Sequence, residues 1–169
     1  MRRARSRVAR AGWMPSGAST VMVERTSDGL AAEAWGPGAE EALARLPGLL
    51  GLDDDATGFD PSLHPVVAEL ARRQPGGTRI GRTGSVFEVL LPAILEQKIT
   101  GTEAFRGYRR LIRALGVPAP GPLGLWMPPR AADVAGLASW TFPGLGIEPR
   151  RGALLRRVAA DAPALEALL

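Results

Sequence analysis

The sequence predicts a mostly α-helical chain carrying a short antiparallel β-hairpin near its amino end. Two capping-box patterns, Ser85 with Glu88 and Thr100 with Glu103, write two consecutive helix starts. Apolar residues recur at helical spacing through most of the chain after residue 40. Asp28-Gly29 sits between two extended runs, which is a hairpin signal. At 169 residues and 46% hydrophobic content, the chain has the length of one ordinary domain and enough apolar mass for a core.

Residues 1–17 hold Arg2, Arg3, Arg5, Arg7 and Arg10 without an acidic residue, and read as a basic, disordered tail. They lack the apolar core of a secretory signal. Residues 18–24 and 30–35 read as two antiparallel strands across the turn Ser27-Asp28-Gly29, closed by Gly36-Pro37-Gly38. An isolated hairpin is marginal in water, so it must pack on the helices or join a larger sheet.

The helical part, residues 39–169, starts with Leu43, Leu46, Leu49 and Leu50 at helical spacing, interrupted by Pro47. Asp53-Asp54-Asp55 lacks the spaced oxygens of a calcium loop and reads as a solvated acidic loop. A helix from Asp60 to Arg73 follows, with Leu63, Val66, Val67 and Leu70 on one face and His64 as a partly exposed first-turn residue. Residues 74–84 are glycine-rich, yet they lack the GxxxxGK[ST] order of a phosphate loop and read as a plain connection. Arg79 and Arg82 within it are surface candidates for contact with an anionic backbone.

Residues 85–115 organise the rest. Val86, Phe87, Val89, Leu90, Leu91, Ala93, Ile94 and Leu95 leave the first of the two helices almost no polar face, as expected of a helix surrounded by protein. Pro92 removes one of its hydrogen bonds and is expected to kink it. Glu96, Gln97, Lys98 and Thr100 then gather polar groups at the turn into the second helix. That helix is expected to bury Phe105, Tyr108, Leu111, Ile112 and Leu115, to surround them with Arg106, Arg109, Arg110 and Arg113, and to end at Gly116.

A proline-rich connection, with Leu125 and Trp126 as buried candidates, leads to a short helix over residues 130–139 and an irregular apolar bend to Ile147. Pro149 starts a further helix, and Asp161-Ala162-Pro163 is expected to begin another. Leu165, Leu168 and Leu169 read as an apolar face whose partner is missing, so the fold is expected to be cut short.

Composition excludes several chemistries. Without cysteine there is no disulfide or thiolate metal site, and with His64 as the single histidine there is no histidine-based triad. No apolar run is long enough to span a bilayer. A soluble, cytoplasmic protein without metal or small-molecule cofactor is expected, acting as a monomer. The net charge of +4 and pI near 10.8 favour an anionic partner, nucleic acid first, although Lys98 is the only lysine and an arginine skew also arises from base composition.

Residues 35–169 resemble the helix-hairpin-helix (HhH-GPD) DNA glycosylases of the 3-methyladenine type. The resemblance is carried by Phe87-Glu88, by residues 92–104 (PAILEQKITGTEA), by Pro128-Pro129 and by residues 146–151 (GIEPRR). It implies an incomplete helical domain preceded by the remnant of a β-sheet domain. It also implies double-stranded DNA as partner and, as the activity of the family, hydrolysis of the N-glycosidic bond of alkylated purines in base-excision repair. Gln97 and Lys98 would face the minor groove, with Lys98 at the position that fills the gap left by a flipped base. Thr100, Gly101 and Thr102 would offer a helix N-terminus and hydroxyls to phosphate.

The family's catalytic aspartate would lie beyond Leu169, so no catalytic role passes to Asp133 or Asp161, and this chain is expected to be a truncated, inactive form. Two other readings remain open: a non-catalytic DNA-binding remnant, and a degenerate gene product without a stable fold.

Overall fold

The computed structural model describes residues 7–74 and 79–168. The chain forms two compact units, one made of residues 7–44 and 85–168, the other of residues 45–84.

In the larger unit three strands form an antiparallel sheet in the order β1 (Arg7–Met14), β2 (Gly17–Arg25), β3 (Leu30–Trp35). The expected hairpin is β2–β3, closed at Asp28-Gly29, where the Thr26 N–H donates to the Gly29 carbonyl at 2.8 Å. The expected tail is corrected over residues 7–14, which pair with β2 across Pro15-Ser16; residues 1–6 lie outside the described residues. The basic charge that suggested disorder is matched from afar. Arg7 pairs with Glu24 at 3.2 Å and Arg10 with Glu88 at 2.8 Å. The Trp13 indole N–H donates to the Pro128 carbonyl at 2.8 Å, and the Arg130 guanidinium lies 3.8 Å from the Trp13 ring centroid. As the middle strand, β2 buries Ser19, Thr20 and Val21 in succession. A helix α1 (Ala39–Ala44) follows and packs on β2 and β3, with Glu41 accepting from the Ser16 hydroxyl and N–H.

The core is helical and lies between α4 (Val86–Leu95) and α8 (Pro149–Glu166). Phe87, Leu91, Ile94 and Leu95 meet Leu155, Ala159 and Ala162 there. Leu111 of α5 (Gly101–Leu115), Val134 of α6 (Ala131–Ala135) and Phe142 of α7 (Thr141–Gly144) complete it. Burying that many large side chains, at roughly 1.5–3 kcal/mol each, is the main source of stability. Gly152 permits a close approach of α8 to α7: a Cβ there would stand 2.5 Å from the Phe142 ring.

Several sequence expectations need correction. The α4 helix is buried on one face only, since Val89 is 49% exposed. Phe105 is 63% exposed because it falls on the outer face of α5, with Arg106 and Arg109. Trp126 is exposed, and the residue buried in its place is Met127. No new helix starts at Asp161. Instead α8 runs through Pro163, whose missing N–H leaves only one rung of the ladder unmade while Ala162 packs in the core.

The smaller unit holds α2 (Leu46–Leu49), a 3₁₀ turn (Pro61–Leu63) and α3 (Pro65–Arg73). The single helix expected from Asp60 is therefore two pieces. Asp60 caps the turn by accepting from the Ser62 N–H, and His64 caps α3 through Nδ1, which accepts from the Val66 N–H at 3.3 Å. Hydrogen bonds from Ser62 hold the Asp60 carboxyl below its ordinary pKa, and those from Thr57 do the same for Asp55. The acidic loop is tied internally, with Asp54 accepting from the Ile80 N–H at 3.0 Å. Arg79 donates to the Gly51 carbonyl and Arg82 lies against that of Asp53, so both are engaged within the unit. Residues 75–78 of the glycine-rich connection lie outside the described residues.

Candidate DNA interface

The turn between α4 and α5 brings together all five residues singled out by the sequence. At its entry the Glu96 N–H still bonds the Pro92 carbonyl (3.0 Å) and the Gln97 N–H bonds that of Ile94 (3.3 Å), so the helical winding continues to Gln97. Lys98 then takes φ +57, and among the described residues it is the only non-glycine at positive φ. A left-handed conformation costs an L-residue about 1–2 kcal/mol, which is why glycine or asparagine is usual there. It ends the helical winding, and both Gln97 and Lys98 are exposed. Strain of this sort persists where the surroundings enforce it and clusters at functional sites.

The exit is locked by the predicted capping box. The Thr100 Oγ1 accepts from the Glu103 N–H at 3.3 Å, while Glu103 Oε2 accepts from the Thr100 N–H at 3.2 Å and from its hydroxyl at 3.0 Å. Gly101 and Thr102, the first two residues of a 15-residue helix, are exposed. Their N–H groups have no intrahelical acceptor and point along the positive end of the helix dipole. A Cβ on Gly101 would meet nothing within 4 Å, so internal packing does not demand glycine there. Its absence lets an external backbone come closer.

Two supports for this turn were not foreseen as such. Arg151, on α8, donates from Nη1 to the Leu95 carbonyl at 3.2 Å, satisfying the last turn of α4, and its Nε lies 3.4 Å from Glu148. At the other end of α4, Ser85 accepts from the Glu88 N–H as predicted, but Glu88 does not return the bond. Glu166, from the end of α8, takes that place. Its carboxylate accepts from the Val86 N–H (2.8 Å), the Phe87 N–H (2.9 Å) and the Ser85 hydroxyl (3.0 Å). The helix that presents the turn is thus clamped at both ends by α8. The GIEPRR segment offered the only sequence signal for Arg151, and nothing local signalled Glu166.

Elsewhere in the larger unit a cavity of about 480 Å³ is lined by Trp13, Phe87, Glu88, Pro128, Arg130 and Glu166, among others. Its polar groups are already engaged: Trp13 with Pro128, Glu88 with Arg10, and Glu166 with α4. Tyr108 has its phenol pKa pushed up, first by burial and then by the negative Glu88, with Arg10 opposing. Among the described residues no cluster of His, Asp or Glu could hold a metal ion. Asp133 and Asp161 are both exposed, on α6 and α8 respectively.

A 3-methyladenine DNA glycosylase from Archaeoglobus fulgidus superposes over 90% of this chain and 55% of its own, with a TM-score of 0.72 at 21% identity. The fold is that of the DNA glycosylases. The glycosylase fold recurs in an 8-oxoguanine glycosylase/lyase from Clostridium acetobutylicum solved with double-stranded DNA (TM-score 0.65, 15% identity, 93% of this chain and 56% of that one). It recurs again in MBOgg1 bound to a low-affinity DNA ligand (TM-score 0.65, 18% identity, 93% and 56%). The chain spans little more than half the length of these structures. No protein-family model matches the sequence, and no curated protein matches it. Among the described residues no helix is long and apolar enough to cross a membrane.

Proposed function

We propose that this chain is the DNA-gripping part of a base-excision repair glycosylase of the alkylated-purine type, and that it engages duplex DNA as a monomer through Gln97, Lys98, Thr100, Gly101 and Thr102. The observation that carries the reading is the left-handed Lys98, which turns a run of exposed polar groups outward at the tip of a helix pair within a glycosylase fold. Lys98 meets the minor groove at the flipped-base position or the adjacent phosphate, and the bare N–H groups of Gly101 and Thr102 receive a phosphate oxygen. Charge-assisted contacts of this kind are strong but independent of sequence.

Glycosidic hydrolysis further needs a carboxylate beside the oxocarbenium-like sugar. We assign that role to no residue of this chain: Glu103 is engaged in capping Thr100, and Asp133 and Asp161 sit exposed on other helices. The chain therefore binds without releasing base. The test is incubation with duplex carrying 3-methyladenine, following bound DNA and free base separately. Salt-sensitive binding with no base release is expected. Release of base would overturn the assignment of the catalytic role to no residue of this chain, and absence of binding would overturn the reading itself.

A second reading, 8-oxoguanine as the lesion, is favoured by the 8-oxoguanine glycosylase/lyase among the structural neighbours. Tighter binding to 8-oxoguanine duplex than to methylated duplex would select it.

A further inference from the structure

The outer face of α5 carries a feature that extends beyond the turn. Thr102, Phe105, Arg106, Arg109, Arg110 and Arg113 recur at intervals of three and one, which places them on one stripe of the helix. They line a single shallow groove. The opposite face, with Ala104, Gly107 and Leu111, is buried. None of the four arginines is ion-paired among the described residues, and Glu103, the nearest carboxylate in sequence, faces Thr100. Each arginine has another three or four residues away, a like-charge arrangement that weakens an isolated helix.

Two of the four lie beside other groups. The Arg109 guanidinium sits 5.9 Å from the centroid of the exposed Phe105 ring. Arg110 lies over Gly146, where a Cβ would stand 2.8 Å from its Nη1. A guanidinium presents a planar fork that can bind a phosphate through two N–H groups.

We propose that this arginine face is a second duplex-DNA contact, which takes the strand onward from the turn along α5. The inference rests on the proposed function, because the groove begins at Thr102, one of the residues assigned to the turn. From Thr102 to Arg113 the helix rises roughly 16 Å, against one phosphate per about 3.4 Å along a strand, so all four arginines can reach phosphates of one strand. The contact is to the backbone alone and carries no preference for a lesion.

The test is fluorescence-anisotropy titration of a short undamaged duplex across a salt series, with three variants beside the wild type. The first replaces all four arginines with Gln. The second is Arg106→Gln with Arg113→Gln, which leaves the Phe105 and Gly146 contacts intact. The third, Lys98→Gln, alters the turn alone. Each lost phosphate contact lowers the slope of log K against log salt by about 0.9, so the fourfold variant is expected to lose roughly 3 to 4 in slope and the double variant about 2. If the arginine variants keep the wild-type slope and affinity while the turn variant weakens, the second contact is overturned and the proposed function stands. If the arginine variants weaken and the turn variant does not, the arginine face is upheld and the turn assignment falls. If the wild type binds no duplex, both fall.

Discussion

Replacing Glu166 with Ala removes a tertiary cap, and the cost can be worked from its contacts. The carboxylate accepts three hydrogen bonds, from Val86 N–H, Phe87 N–H and the Ser85 hydroxyl, at 2.8 to 3.0 Å. A hydrogen bond to a charged group contributes about 1.5–3 kcal/mol, and a buried amide left unpaired costs about 1–3 kcal/mol. These terms are not additive, and the site is only half-buried, so water replaces part of what is lost. Roughly 2–4 kcal/mol remains, which for a chain of this length lowers Tm by about 5–15 °C. Glu166→Gln keeps an acceptor without the charge and should cost about 1 kcal/mol. Thermal unfolding gives the global value, and hydrogen exchange at the Val86 and Phe87 amides gives the local one. A Glu166→Ala protein with wild-type Tm and unchanged exchange at those two amides would refute the cap and, with it, the account of how α8 holds α4.

Gly152→Ala should destabilise by about 1–3 kcal/mol despite Ala's higher helix propensity, because the new Cβ would meet the Phe142 ring at 2.5 Å; denaturant unfolding measures it. Thr20 is fully buried, and its hydroxyl has no partner among the described residues, so Thr20→Val should be neutral or stabilise by up to about 2 kcal/mol in the same assay. The folded state holds the Tyr108 phenol above its ordinary pKa, so the unfolded chain ionises first as pH rises. Stability is therefore whole below about pH 10 and falls above it, and Tyr108→Phe should flatten that part of the curve of Tm against pH.

What the sequence made legible was mostly local. The Asp28-Gly29 hairpin and the Thr100–Glu103 box each depend on residues within a few positions, and both appear as expected. The strand β1 was hidden because its arginines find their carboxylates at Glu24 and Glu88, so a run that looked uncompensated is paired in space. Pro15-Ser16-Gly17 was the turn signal that could have revealed it. Glu88 completed a sequence pattern yet turns to Arg10, and Glu166, some eighty residues away, completes the cap. Pro163 suggested a helix start where packing of α8 against α4 carries the helix onward. At the candidate interface the residue types were legible from the order QKITGT, but the left-handed backbone at Lys98 was not, since lysine has no preference for it.

Lys98→Gly separates the two roles of that position and so tests the central claim most directly. Glycine relieves the left-handed strain while adding freedom to the unfolded chain, so stability should be unchanged or up to about 1 kcal/mol higher. The same change removes the cation proposed to face DNA. The account predicts a protein that melts no earlier than wild type, binds duplex several-fold more weakly, and shows a salt slope shallower by about 0.9. Wild-type affinity and slope in a protein that folds as well or better would contradict the claim that this turn grips DNA.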